Sequence, residues 1–173
     1  MQIKRMTKAH FEIVYNLLSE AFIPSELRLK EDMLTCFNNP NYRIWGLIHE
    51  DKLCGVLTGF SFENYLFGEY LAISPELRGK GLGKKFFMDI IEKENKPVIN
   101  EVERPTNQIA TRRIHFYERL GFNLHTYDYY MPKIKGNRGN VPLYLMSYPN
   151  MHIEQPAYDK LKREIYQQVY QVK

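Results

Sequence analysis

Glu76-Leu77-Arg78-Gly79-Lys80-Gly81-Leu82-Gly83-Lys84-Lys85 is the stretch on which the reading of this chain turns. It follows an apolar, strand-like run at residues 70–74 and opens onto a segment with helical spacing. Its glycines let backbone N–H groups come close to a ligand, and a helix start adds about half a positive charge. Arg78, Lys80, Lys84 and Lys85 stand beside them. The segment therefore reads as a seat for a pyrophosphate.

Spacing decides which pyrophosphate. A Walker loop ends in Gly-Lys-Ser/Thr with a first glycine five positions before the second. Counting back from Gly83-Lys84 puts Arg78 where that first glycine belongs and Lys85 where the hydroxyl belongs. The dinucleotide fingerprint Gly-x-Gly-x-x-Gly fails as well, because its last position falls on Lys84 or Phe86 in the two available registers. What remains is Arg78-x-x-Gly81-x-Gly83.

Composition sets the frame. At 173 residues, 44% of them hydrophobic, the chain can bury one sizeable core and is not a disordered one. No charge-free apolar run approaches the length of a membrane span, and Gln2, Lys4 and Arg5 interrupt any secretory core at the start. Cys36 and Cys54 lie in unrelated segments without metal-ligand spacing, so the expectation is reduced thiols, no metal and a cytoplasmic setting. A net charge of +4 suits an anionic cofactor and falls short of a nucleic-acid footprint, so neither nucleic acid nor membrane is expected as a partner.

Periodicity predicts a strand at residues 2–6 and a helix capped by Thr7, with Phe11, Val14, Leu17, Leu18 and Ala21 on one face. A second helix is expected from Pro24 to the stop at Asn38-Asn39-Pro40. Residues 42–49 and 53–60 read as a hairpin around Glu50-Asp51-Lys52. A strand at 64–74 follows, then a helix at 81–94, a strand at 98–102 and a helix at 107–120 ended by Gly121. Strands at 122–130 and 141–148 come next, joined by a Lys/Gly/Asn loop. A tail helix at 153–172 is expected to break early at Pro156. Such an order describes an α/β chain with a mixed, mostly antiparallel sheet flanked by helices.

About 35 residues beyond the glycine turn comes Arg112-Arg113-Ile114-His115-Phe116-Tyr117-Glu118-Arg119-Leu120-Gly121-Phe122. The turn Arg78-x-x-Gly81-x-Gly83 resembles the acyl-CoA pyrophosphate loop of the GNAT superfamily of N-acetyltransferases. Tyr117-x-x-x-Gly121-Phe122 resembles that superfamily's second signature, and the element order is similar to its fold. Residues 101–105, the Arg-Arg-Ile-x-Phe-Tyr run and residues 141–146 are closer still to a bacterial GNAT subgroup without a clear assigned substrate. The resemblance covers residues 1–148, with 149–173 as a helical extension of a single domain, 1–173. One position departs from it. Many members carry Asn seven residues before the helix Tyr, where this chain has Ala110; Asn107 lies one turn too early to inherit that role.

The resemblance implies acetyl-CoA as donor, with no metal, and direct attack of an amine on the thioester. Leu71 and Ile73 would pair their backbones with the pantetheine arm. Leu77, Arg78, Gly79, Lys80, Gly81, Gly83 and Lys84 would hold the pyrophosphate, with Arg113 as a further contact or a plain surface charge. An ammonium must lose a proton before it attacks. Glu69, on the strand before the turn, is a candidate base, with an exposed carboxylate paired to a neighbouring Lys as its alternative reading. Glu101 and Glu103 share a face of the next strand and compete for the role, and Glu103 also suits a cationic substrate. Tyr117 occupies the family position for the acid that protonates the departing thiolate, and main-chain N–H groups near Leu71–Ile73 would meet the oxyanion.

The acceptor is not written in these motifs. Lys133, Lys135 and Arg138 in the loop 132–140 would attract an anion or form a solvated tip, whereas Glu26, Glu31 and Asp32 would favour a cation. Aromatic residues from Tyr15 to Phe67 line a cleft or belong to the core. The first reading is a small-molecule amine N-acetyltransferase, acting as a monomer or homodimer. Its alternatives are an acetyltransferase of a protein or aminoacyl-tRNA, and a non-catalytic acyl-CoA-binding regulator.

Overall fold

Strand β1 (Gln2–Arg5) lies antiparallel to β2 (Tyr42–His49), which pairs with β3 (Lys52–Ser61), which pairs with β4 (Leu66–Ile73). These strands come from a computed structural model that describes residues 1–24, 26–132 and 140–172. The chain divides into two units, Met1–Lys96 and Pro97–Lys173.

In the first unit, α1 (Phe11–Ala21) turns Phe11, Val14, Leu17 and Leu18 inward, the expected three-and-four spacing. Fully burying each such side chain stabilises the unit by about 1.5–3 kcal/mol. A single 3₁₀ turn, Lys8–His10, precedes it. The second helix is shorter than its sequence suggests: α2 runs only over Lys30–Cys36. Residues 26–29 are instead turn and extended chain, because Leu27 and Arg28 are drawn into the interior. Glu50 and Asp51, both at positive φ, make the tight β2–β3 turn.

Strand β4 carries one irregularity. Thr58 faces Tyr70 and Gly59 faces Gly68, so Glu69 is the extra residue of a β-bulge. The close approach needs glycine on the partner strand. A Cβ on Gly59 would stand 2.2 Å from the Phe67 carbonyl oxygen. After β4, a 3₁₀ turn at Pro75–Leu77 leads through the glycines into α3 (Leu82–Glu94), which buries Phe86, Phe87, Ile90 and Ile91.

The second unit holds β5 (Val98–Glu103), α4 (Gln108–Arg119), β6 (Asn123–Met131), β7 (Val141–Tyr148) and α5 (Gln155–Gln168). Its strands pair antiparallel in the order β5-β7-β6. Asn107 caps α4, its side-chain oxygen accepting from the Ala110 N–H at 2.9 Å. Gly121, at φ 94°, ends that helix. Pro156 does not break the tail helix as expected. It sits in the first turn of α5, where its missing N–H costs nothing. Seven strands and five α-helices among the described residues give the α/β, mixed and mostly antiparallel fold expected from the element order. The basic loop residues Lys133, Lys135 and Arg138 lie outside the described residues.

Candidate active site

The glycine turn has the conformation its composition demands. Gly79 and Gly81 sit at φ 75° and 74°, where a side chain is strained. A Cβ built on either would meet nothing within 4 Å, so the backbone there faces open space. Gly83 serves a different purpose: a Cβ there would lie 3.3 Å from Ile73 Cγ1, and its absence lets α3 start close against the end of β4. Gly81 is the N-cap of α3, so the first-turn N–H groups and the helix dipole point at the same open space.

The charges around the turn are unequal. Lys80 and Lys84 are exposed, whereas Lys85 is engaged with Asp89 at 2.8 Å on the next helical turn. Arg78 donates from Nε to the Ile73 carbonyl at 2.8 Å, which holds the guanidinium beside the end of β4. The Glu76 carboxylate, held below its usual range first by a backbone N–H of its own residue, stays ionised and offsets part of this charge. The donor set is one that a pyrophosphate would fit, chiefly through main-chain amides. Leu71 and Ile73 lie half-buried on β4, paired on one side to Leu57 and Gly55.

Glu69 is not the exposed strand carboxylate of the alternative reading. The bulge aims it inward, and its Oε1 accepts from Arg28 Nε at 2.5 Å, with side chains 5% and 4% exposed. Alternation along β4 cannot foresee this, because the bulge interrupts the period. Arg28 was absent from the site residues expected from sequence. Its signal was a lone cation next to Leu27, which needs a buried partner once burial of Leu27 carries it inward.

In the second unit, two expected site residues meet. Arg113 Nη1 donates to Glu103 Oε2 at 2.7 Å, each side chain about one-third exposed. Glu101, although on the same face of β5, has other partners: it accepts from the hydroxyls of Tyr129 and of Tyr170, the latter at 2.7 and 2.8 Å. Tyr117 is half-buried on α4, its ring 5.2 Å from that of Phe116 and 5.4 Å from Phe122. Burial pushes its phenol up to about 12, and Arg113 offsets only part of the rise. Tyr117 is thus protonated throughout the physiological range and a weaker acid than an ordinary tyrosine. A shallow pocket of about 390 Å³ at the start of α4 is lined by Pro105, Thr106, Asn107, Gln108, Thr111 and Arg112, none of them an expected site residue.

The comparisons with known proteins bear on this arrangement. The model of the acetyltransferase (GNAT) family matches residues 11–122, a span that includes both the glycine turn and Tyr117. This chain belongs to the GNAT family. A solved structure titled "Putative acetyltransferase from GNAT family from Bacteroides thetaiotaomicron" is 32% identical, covers 100% of both chains and superposes with a TM-score of 0.89. A Bacillus subtilis (strain 168) protein named "Putative acetyltransferase YjbC" is 32% identical over 112 residues, which are 62% of this chain. The match spans 55% of that relative, a little over half its length. A Bacillus subtilis acetyltransferase solved in complex with CoA shares the fold at 18% identity and a TM-score of 0.61, over 84% of this chain and 96% of its own. Among the described residues no helix is long and apolar enough to cross a membrane, and no group of three or more His, Cys, Asp or Glu could hold a metal ion.

Proposed function

We propose that this GNAT chain is an acetyl-CoA-dependent N-acetyltransferase acting on a small-molecule amine. The observation that carries the reading is the turn Gly79–Gly81. Both residues are left-handed, both face open space, and they lead from the 3₁₀ turn after β4 into the start of α3. Acetyl-CoA supplies an activated acetyl group. The chain's residues hold it, orient the amine and move protons. Leu77 to Gly83 present main-chain amides to the pyrophosphate, with Arg78, Lys80 and Lys84 adding charge. Leu71 and Ile73 offer backbone groups to the pantetheine arm.

In the reaction a C–N bond forms and the C–S bond breaks. The proton lost by the amine passes to a carboxylate, directly or through water, with Glu69 and Glu103 as the candidates. The thiolate takes a proton from Tyr117, which is protonated at every working pH. A carboxylate tied to a guanidinium, as both candidates are, is a fixed and oriented group.

Thiol release from acetyl-CoA across a panel of amines tests the reading. Turnover on at least one amine is expected, with kcat lowered about 10²-fold or more in Tyr117→Phe. Binding of acetyl-CoA without release on any amine, peptide or tRNA would instead favour a non-catalytic acyl-CoA sensor.

A further inference from the structure

A buried, acidic cluster in the first unit is left over once the donor residues are assigned. Glu69 uses Oε1 on Arg28, and its Oε2, shielded from solvent, has no hydrogen-bond partner among the described residues. The same is true of Asp32 Oδ2 on α2 and of the hydroxyl of Tyr42, a residue 6% exposed. The groups share one neighbourhood. Cys36, whose thiol donates to the Asp32 carbonyl, lies in the fields of Glu69, Arg28 and Asp32 together, and Tyr42 in those of Glu69, Cys36 and Arg28. Two carboxylates stand against one guanidinium, and one oxygen of each is shielded from solvent. Leaving a buried carboxylate oxygen without a donor costs more than leaving a neutral acceptor so.

An ammonium suits such a neighbourhood. It carries one positive charge and three N–H donors, matching Glu69 Oε2, Asp32 Oδ2 and the Tyr42 oxygen in number. An anion would be repelled, and a neutral group would leave the charge uncompensated. The cover over the cluster is the stretch Glu26–Leu29. Side-chain hydroxyls hold it down: Tyr15 donates to the Arg28 carbonyl, and Tyr70 both accepts from the Arg28 N–H and donates to the Glu26 carbonyl. Leu29, at its end, is 42% exposed.

We propose that Glu69 and Asp32 form the anionic end of the acceptor site, so that the acceptor is a primary amine bearing a second, cationic amino group. The inference rests on the N-acetyltransferase reading above. Glu69 then seats the non-reacting ammonium, and the deprotonation of the reacting amine falls to Glu103 or to water.

Three probes of equal reach differ in the charge of the far end: 1,4-diaminobutane, n-butylamine and 4-aminobutyrate. With acetyl-CoA present, kcat/KM for the diamine is expected to exceed that for 4-aminobutyrate at least tenfold. Asp32→Asn is expected to reduce that preference at least tenfold, through KM for the diamine. The isosteric change on a half-buried helix residue leaves Arg28 paired with Glu69 and so spares the fold. Without acetyl-CoA, the diamine is expected to raise the melting temperature of the parent and not of Asp32→Asn. Equal or better use of 4-aminobutyrate, or a preference unchanged in Asp32→Asn, overturns the inference and leaves the enzyme reading intact. An Asp32-dependent thermal shift with no thiol release on any amine supports the cation seat and overturns the enzyme reading. Absence of both responses overturns the seat.

Discussion

Arg113 donates to Glu103 at 2.7 Å across the span from α4 to β5, and each side chain is about one-third exposed. This ion pair couples a residue expected to hold the donor with one expected to act on the acceptor. Surface exposure limits its contribution to stability to roughly 1 kcal/mol or less. Function should feel it more. Glu103→Gln keeps the shape and removes the charge that offsets Arg113. The expected result is an unchanged or slightly lower KM for acetyl-CoA together with a lower kcat. Arg113→Ala should raise the KM for acetyl-CoA about three- to tenfold. Steady-state kinetics at low and high salt separate the two, because only the Arg113 effect should shrink as salt screens it.

The Arg28–Glu69 pair stands at the other extreme of burial. Removing one partner leaves an uncompensated charge in the interior, which typically costs about 3–5 kcal/mol. Arg28→Ala is therefore expected to lower the melting temperature by many degrees. The double replacement Arg28→Met with Glu69→Leu should recover most of that stability. Thermal unfolding of the three variants checks this, and a single replacement that melts like the parent would show that the pair is solvated.

Tyr117 links pH to both stability and rate. Its folded-state value is raised to about 12 from an ordinary value near 10. The protonated phenol is thus favoured by folding. Its contribution is complete below about pH 10 and is lost as pH rises toward 12. Tyr117→Phe should show a shallower loss of stability across that window than the parent, measured by chemical denaturation at stepped pH. In kinetics, any alkaline limb of kcat below about pH 11 should persist in Tyr117→Phe, because Tyr117 does not titrate there.

How much of this was legible beforehand depends on which physical signal each element carries. Strands β2 and β7 read out with their observed bounds, because apolar runs flanked by turn residues leave few alternatives. The glycine turn was equally legible, since Gly79 and Gly81 need a conformation that other residues avoid. The start of α2 was not. Leu29 and Met33 fit a helical period, but the inward pull on Arg28 comes from Glu69, 41 residues away. The orientation of Glu69 was hidden for a related reason, as a single bulged residue inverts the alternation from which a face is read. The pairing of Glu101 with Tyr170 spans 69 residues and leaves no mark in any local window.

That long pairing predicts a role for the end of the chain. Tyr170, 6% exposed just beyond α5, donates to both oxygens of Glu101 on β5. Hydrogen bonds to a charged acceptor contribute about 1.5–3 kcal/mol. Tyr170→Phe keeps the ring and deletes the donor, so it should destabilise the protein by about that amount, with Tyr129 remaining as the partner of Glu101. Hydrogen exchange locates the effect: protection should fall first in the amides of α5. A uniform loss across the whole chain would show that Tyr170 supports more than the seating of that helix.

Gly81 gives the sharpest separation between fold and function. Its φ of 74° makes any L-residue there strained, while the space around it is open. Gly81→Ala should thus cost about 1 kcal/mol of stability from backbone strain alone. It should weaken acetyl-CoA only modestly, since a methyl group reaches into the ligand's space without charge. Gly81→Glu carries the same strain, so its stability should match that of the alanine variant. It also sets a carboxylate against the pyrophosphate at the helix start, where like charge and bulk act together. Acetyl-CoA affinity should fall at least 100-fold, about 2.7 kcal/mol. Calorimetric titration of acetyl-CoA into both variants, with melting curves alongside, decides the matter. Parent-like affinity in Gly81→Glu would remove the turn from the donor site.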